Sequence, residues 1–192
     1  MSARVLLLRH PPVAKAWAGR CYGRSDMGLS RAGAAMAHRI AEELAPLPFA
    51  RIVHSGATRT RRLAERIARV TGRPVTADIR WLERDFGTWE ARTWQAIWRE
   101  TGNAMDGMMT DPGGFRPGGG ETGAELAARA RAAWDDLPMS ADTLVVTHGG
   151  PIAALRTVFA GLPLERMIEA VPPCGTWVAL PRDPVSGPRA AR

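Results

Sequence analysis

At 192 residues, 45% hydrophobic and 23% charged, the chain has the composition of an ordinary globular protein and the length of a single domain. No run of about eighteen apolar residues exists, which excludes a membrane-spanning helix; the apolar stretch at 5–8 is too short for a secretory signal, so a cytoplasmic location is expected. The net charge of +7 rests on arginines, Lys15 being the one lysine, and they are scattered and often placed near Glu or Asp, so no nucleic-acid face is expected.

In chain order, VLLL at 5–8 reads as a strand buried on both faces, and it runs straight into Arg9 and His10. A Gly-, Pro- and Arg-rich loop covers 11–29. Ser30 then has the character of an N-cap for an Ala-rich amphipathic helix to about Leu44, stopped by Pro46 and Pro48. Ile52 and Val53 suggest a second strand, 58–70 a second helix closed by Gly72 and Pro74, and 75–77 a weak third strand. The region 80–121 reads as a small irregular insert. It holds a loop with Trp81 and Trp89, a short helix over 93–100, and DPGGFRPGGG at 111–120, expected to be a flexible loop. Glu121 or Thr122 opens a helix to about Leu137. TLVVT at 143–147 is the clearest strand; it leads into His148, Gly149, Gly150 and Pro151 and a helix to about Gly161. Residues 178–180 suggest an edge strand, and 183–192 a disordered tail.

This alternation predicts an α/β fold: one domain over 1–182, a three-layer sandwich with a mostly parallel central sheet. Ligands in such folds sit beyond the carboxyl ends of the strands. Three polar segments fall there: Arg9-His10, His54-Ser55 and His148-Gly149.

Taken singly, these signals leave alternatives open. An Arg-His pair ending a strand suits a structural histidine as well as a functional one. THGG bares backbone N–H groups at a helix start, which attract anions, but also makes a plain tight turn. Arg59 competes with Arg61, Arg62, Arg66 and Arg69 on one helix, and Glu83 with Asp85 and Glu90 in one loop. Cys21 and Cys174 have no metal spacing and are expected to be free thiols. The four histidines have none either, so neither a metal nor a cofactor is expected, and His38 falls on a helix surface. Two histidines, arginines and backbone donors around one crevice suit a phosphate dianion.

In order along the chain, LLLRH, GRCYGRSDMGLSRAG, IVHSGATRTRRLAERI, WLERDFGTWEARTW, PGGGETGAELAARARAAW and VVTHGGPIAALRTVFAGLP resemble the motifs of the histidine phosphatase superfamily, with its phosphoglycerate mutase-like fold. The CYGRSD run is most similar to that of small α-ribazole phosphatase-like members. Two departures stand out: Pro11, Pro12 and Val13 replace the usual Gly-Glu-Thr after Arg-His, and His54-Ser55 replaces paired serines.

The resemblance implies a metal-independent phosphomonoester hydrolase acting on a small phosphorylated metabolite, α-ribazole 5′-phosphate among the candidates. It assigns His10 as nucleophile, Glu83 as proton donor and His148 as the second catalytic histidine. Arg9, Arg59 and Gly149 would bind the phosphate. Phosphoglycerate mutase-type transfer and a non-catalytic phospholigand module are the alternatives. The oligomeric state is not addressed by these motifs.

Overall fold

The computed structural model describes residues 3–182. Five strands, β1 (Arg4–Arg9), β2 (Arg51–His54), β3 (Val75–Ala77), β4 (Thr143–Thr147) and β5 (Trp177–Pro181), form one sheet in the order β3-β2-β4-β1-β5. The first four are parallel, and β5 runs antiparallel along β1 at the edge. The expected tail at 183–192 lies outside the described residues.

Side-chain alternation along the strands divides the core between two faces. Leu6, Leu8, Ile52, Leu144 and Val146 pack under α1 (Arg31–Leu44) and α2 (Thr58–Thr71), against Ile40, Leu44, Leu63 and Ile67. Val5, Leu7, Val53 and Val145 face the opposite way, against Ala130 and Trp134 of α5 (Gly123–Asp135) and Ile152 and Leu155 of α6 (Gly149–Phe159). Each fully buried leucine or isoleucine contributes about 1.5–3 kcal/mol. The result is the three-layer sandwich that the pattern predicts. The helix starts follow their caps: Ser30 Oγ accepts from Gly33 N–H at 2.9 Å, and Thr122 with Glu125 forms a capping box.

Register decides what this sheet presents. Arg9 pairs with Thr147 and His54 with Val146, so β1, β2 and β4 end nearly level. The chain therefore delivers His10, Ser55 and His148 side by side at one edge.

The 80–121 region is more ordered than its composition suggests. It contains α3 (Trp94–Thr101), α4 (Gly107–Thr110) and several 3-10 turns. The stretch at 111–120, expected to be flexible, instead lies tight against 85–89. A Cβ on Gly118 would stand 2.3 Å from the Phe86 carbonyl oxygen, and one on Gly120 2.3 Å from that of Asp85. Glycine here permits backbone-to-backbone contact rather than freedom, and Phe115 anchors the stretch beside Trp89. Among the described residues, no helix is long and apolar enough to cross a membrane.

Candidate active site

The residue after β1 sets the site floor. His10 N–H donates to the Thr147 carbonyl at 3.0 Å, continuing the ladder one residue past the strand. Its ring Nδ1 lies 2.7 Å from the Pro11 carbonyl oxygen. A carbonyl can only accept, so Nδ1 carries the proton and Nε2 the lone pair. Burial lowers the His10 pKa to about 3; the positive charges of Arg59 and Arg9 reinforce this, and the Pro11 bond opposes it. The imidazole is therefore neutral at physiological pH. Pro12 offers its carbonyl to the Ser30 N–H at 3.0 Å, so the two prolines both stop the sheet and tie the loop to α1.

His148 lies 5.2 Å from His10, ring centre to ring centre, in an edge-on arrangement. Both rings are sunk into the floor, His10 1% exposed and His148 fully buried. The protonation state of His148 follows from a chain of hydrogen bonds. Thr60 Oγ1 donates to the Ala57 carbonyl at 2.9 Å, so it accepts from Ser55 Oγ at 2.8 Å. Ser55 in turn accepts from His148 Nε2–H at 2.8 Å, which leaves Nδ1 to accept from Arg59 Nε–H at 3.3 Å. Burial first, and then Arg59, His10 and Arg9, hold the His148 pKa well below the usual value. His54, by contrast, takes no part: its Nδ1 accepts from Gly56 N–H at 3.0 Å and closes the β2–α2 turn.

Arg59 is the arginine of α2 that points inward, and it is fully buried. Its fork is largely occupied by protein. NH2 donates to the Gly23 carbonyl at 2.6 Å and NH1 to that of Ser25 at 2.8 Å. The loop carrying those carbonyls is held by Glu90. One carboxylate oxygen accepts from the Ser25 N–H and hydroxyl, both at 2.6 Å, and the other from Arg24 N–H at 2.8 Å. Of the three acidic residues in the loop, Glu90 thus supports the arginine, while Glu83 faces the crevice.

Glu83 accepts from Gly150 N–H at 3.1 and 3.2 Å and from its neighbour Arg84 N–H at 2.8 Å. One of the two backbone donors expected for an anion is therefore taken by a side chain, and the Gly149 N–H is left in the first helical turn, where no intrahelical acceptor exists. A Cβ on residue 150 would stand 2.1 Å from Glu83 Oε1 and displace that carboxylate, and one on residue 149 would stand 3.0 Å from Val171 Cγ1 and 3.2 Å from Arg9 Cζ and crowd both. Arg129 of α5 fixes the segment bearing Glu83: NH1 donates to the carbonyls of Arg80 and Leu82 at 2.6 and 2.9 Å, while Nε and NH2 grip Glu121 at 2.8 and 2.7 Å. Arg9 donates through NH1 to the Pro172 carbonyl at 2.6 Å; its Nε is buried with no hydrogen-bond partner among the described residues. An unmatched guanidinium N–H beside a neutral imidazole is a place for an anion.

The structure thus brings His10, His148, Arg9, Arg59, Glu83 and Gly149 to one floor. Ser55, Thr60, Glu90 and Arg129 support them; all four lie within the quoted motifs, but their supporting roles depend on partners 5 to 93 positions away, which spacing does not reveal. Tyr22, whose ring lies 6.4 Å from that of His10 and under the Arg59 guanidinium, was signalled only as part of CYGRSD.

Comparisons with known proteins address the family and the fold. The model of the histidine phosphatase superfamily (branch 1) matches residues 5–182. A Yersinia enterocolitica protein named "Probable phosphoglycerate mutase GpmB" is 31% identical over 163 residues, 83% of this chain and 76% of that protein. The mycobacterial glucosyl-3-phosphoglycerate phosphatase superposes with a TM-score of 0.82 at 28% identity, covering 93% of this chain and 90% of that one. The α-ribazole phosphatase of Shigella flexneri, at 22% identity and a TM-score of 0.78, covers 92% of this chain and 89% of its own and shares the fold.

Proposed function

The chain belongs to the histidine phosphatase superfamily, and from that premise we propose that it is a phosphomonoester hydrolase acting through phosphohistidine at His10. The observation that carries this is the tautomer. With Nδ1–H donating to the Pro11 carbonyl, the lone pair of a neutral imidazole is on Nε2, the nitrogen that attacks phosphorus. The N–P bond forms as the ester P–O bond breaks, and Glu83 gives its proton to the departing alkoxide. Glu83, now a carboxylate, takes a proton from water as that water attacks phosphorus; the N–P bond breaks and inorganic phosphate leaves. Arg9, the Gly149 N–H and the NH2 hydrogen of Arg59 that its bond to the Gly23 carbonyl leaves over hold the equatorial oxygens, where charge is concentrated. Arrival of a dianion offsets the positive charge that Arg59 and Arg9 place beside His148.

His10→Ala is expected to abolish both turnover of p-nitrophenyl phosphate and acid-labile phosphorylation of the protein. Labelling that survives the substitution would move the nucleophile elsewhere. Phosphoryl transfer on phosphoglycerate, the reaction in the name of the Yersinia relative, is the second reading. Conversion of 3-phosphoglycerate to 2-phosphoglycerate without phosphate release would favour it. We place the activity in the cytoplasm, on a small phosphorylated metabolite, with α-ribazole 5′-phosphate in the substrate panel because of the CYGRSD run.

A further inference from the structure

A cavity of about 500 Å³ is lined in part by Arg9, Glu83 and Gly149 of the proposed phosphate site. That is the size of a ligand site, far larger than a phosphoryl group fills. Its walls come from elements distant in sequence. They include Phe86, Trp94 and the three methionines Met105, Met108 and Met109, together with Leu164 and Ile168 of the 3-10 segment Leu164–Ala170. Two of these, Met109 at 43% and Ile168 at 62%, are exposed apolar side chains. Apolar surface left open around one cavity marks a place where an apolar group is bound.

The two wall arginines outside the phosphate floor are both engaged with backbone carbonyls. Arg84 is buried and donates to the carbonyls of Glu121 and Phe115, at 2.8 and 3.4 Å. Arg20 is exposed and bonds the carbonyls of Ala16 and Ala91 at 3.0 and 2.7 Å. Arg9 belongs to the phosphate floor. Glu165, also on the wall and exposed, would repel a second anion.

Resting on the phosphatase reading above, we propose that the substrate is the phosphomonoester of an uncharged alcohol with an apolar body, and that small carboxylated phosphates are disfavoured. Methionine thioethers adapt to such a body and make favourable contacts with aromatic rings, and Phe86 and Trp94 add ring faces.

Three primary esters with similar leaving groups test this: 3-phenylpropyl phosphate, glycerol 3-phosphate and 3-phosphoglycerate. The expected kcat/KM for the phenylpropyl ester exceeds that for 3-phosphoglycerate by roughly a hundredfold, with glycerol 3-phosphate between them. Met109→Glu and Ile168→Glu, both at exposed positions that tolerate charge, should each reduce that ratio by about tenfold. If phosphate is released but 3-phosphoglycerate is the equal or better substrate, the apolar-alcohol inference fails and the phosphatase reading stands. If wild-type protein hydrolyses none of the three esters and takes up no acid-labile phosphate, both fail. If neither charged variant moves the ratio, the cavity does not hold the alcohol.

Discussion

Acidification is expected to destabilise this protein along a slope set by its buried histidines. In the unfolded chain His10 and His148 titrate near pH 6.5. In the folded chain His10 titrates at about 3, and His148 well below its usual value. Between the two values the unfolded state binds protons that the folded state refuses. Stability is thus fully present above pH 6.5 and is lost as the pH falls towards 3. His10 contributes about 1.4 kcal/mol per pH unit in that window, so it costs about 2 kcal/mol between pH 6 and 4.5, and His148 adds to the loss in the same direction, against a typical domain's 5–15 kcal/mol. Urea unfolding at pH 6, 5 and 4.5, on wild type and His10→Gln, measures this. The variant has one fewer refused proton and should lose about 2 kcal/mol less across the interval. His54 is also held below its usual pKa, mainly by burial, but it contributes equally to both proteins. Parallel curves would show that His10 is not kept neutral by the fold, and the case for its ground-state nucleophilicity would go with them.

Other substitutions probe the supports around that imidazole. Glu83→Gln should slow alkyl esters about 10²–10⁴-fold while sparing p-nitrophenyl phosphate, whose leaving group needs no proton; equal slowing of both removes the acid role. Gly150→Ala should reproduce part of that selectivity, because its Cβ would collide with Glu83 Oε1. Arg59→Lys cannot hold both the Gly23 and Ser25 carbonyls, so inhibition by inorganic phosphate should weaken at least tenfold, and a near-wild-type inhibition constant would rule Arg59 out as a clamp. Glu90→Gln sets an NH2 group against a donor and should cost about 2–3 kcal/mol of stability. It should also weaken phosphate inhibition, through the loop that carries the Arg59 carbonyls; unchanged inhibition would reduce Glu90 to a purely structural role.

As a proposed anion site, this floor draws its strength from where the positive charges are. Arg59 has no exposed surface and the Arg9 Nε is buried without an acceptor among the described residues, so a charge-assisted bond to phosphate there would count for more than it would in water. The exposed ion pairs elsewhere, such as Arg131 with Asp135 and Arg166 with Glu169, are screened by solvent and contribute little to such chemistry.

Much of this was legible in the amino-acid order. Local signals such as the aliphatic runs of β1 and β4, the Ser30 and Thr122 caps and the alternation of strand with helix act within a few residues, so they determine element type, sheet class and the edge at which a ligand would sit. The collinear motifs extended that to His10, His148, Arg9, Arg59 and Glu83. What spacing could not do was choose between equals: Arg59 from its helix neighbours, or Glu83 from Glu90. That choice depends on which way a side chain points after packing, and on carbonyls such as those of Gly23 and Ser25, which any sequence could supply. The 111–120 stretch was misjudged for the same reason, since glycine composition indicates freedom until a second backbone, here 85–89, comes to rest against it. The sequence by itself determined the layers and the residue types at the floor. Only tertiary contact decided each proton's position, each carboxylate's task and the apolar shape of the cavity, because those properties belong to neighbours brought together from distant parts of the chain.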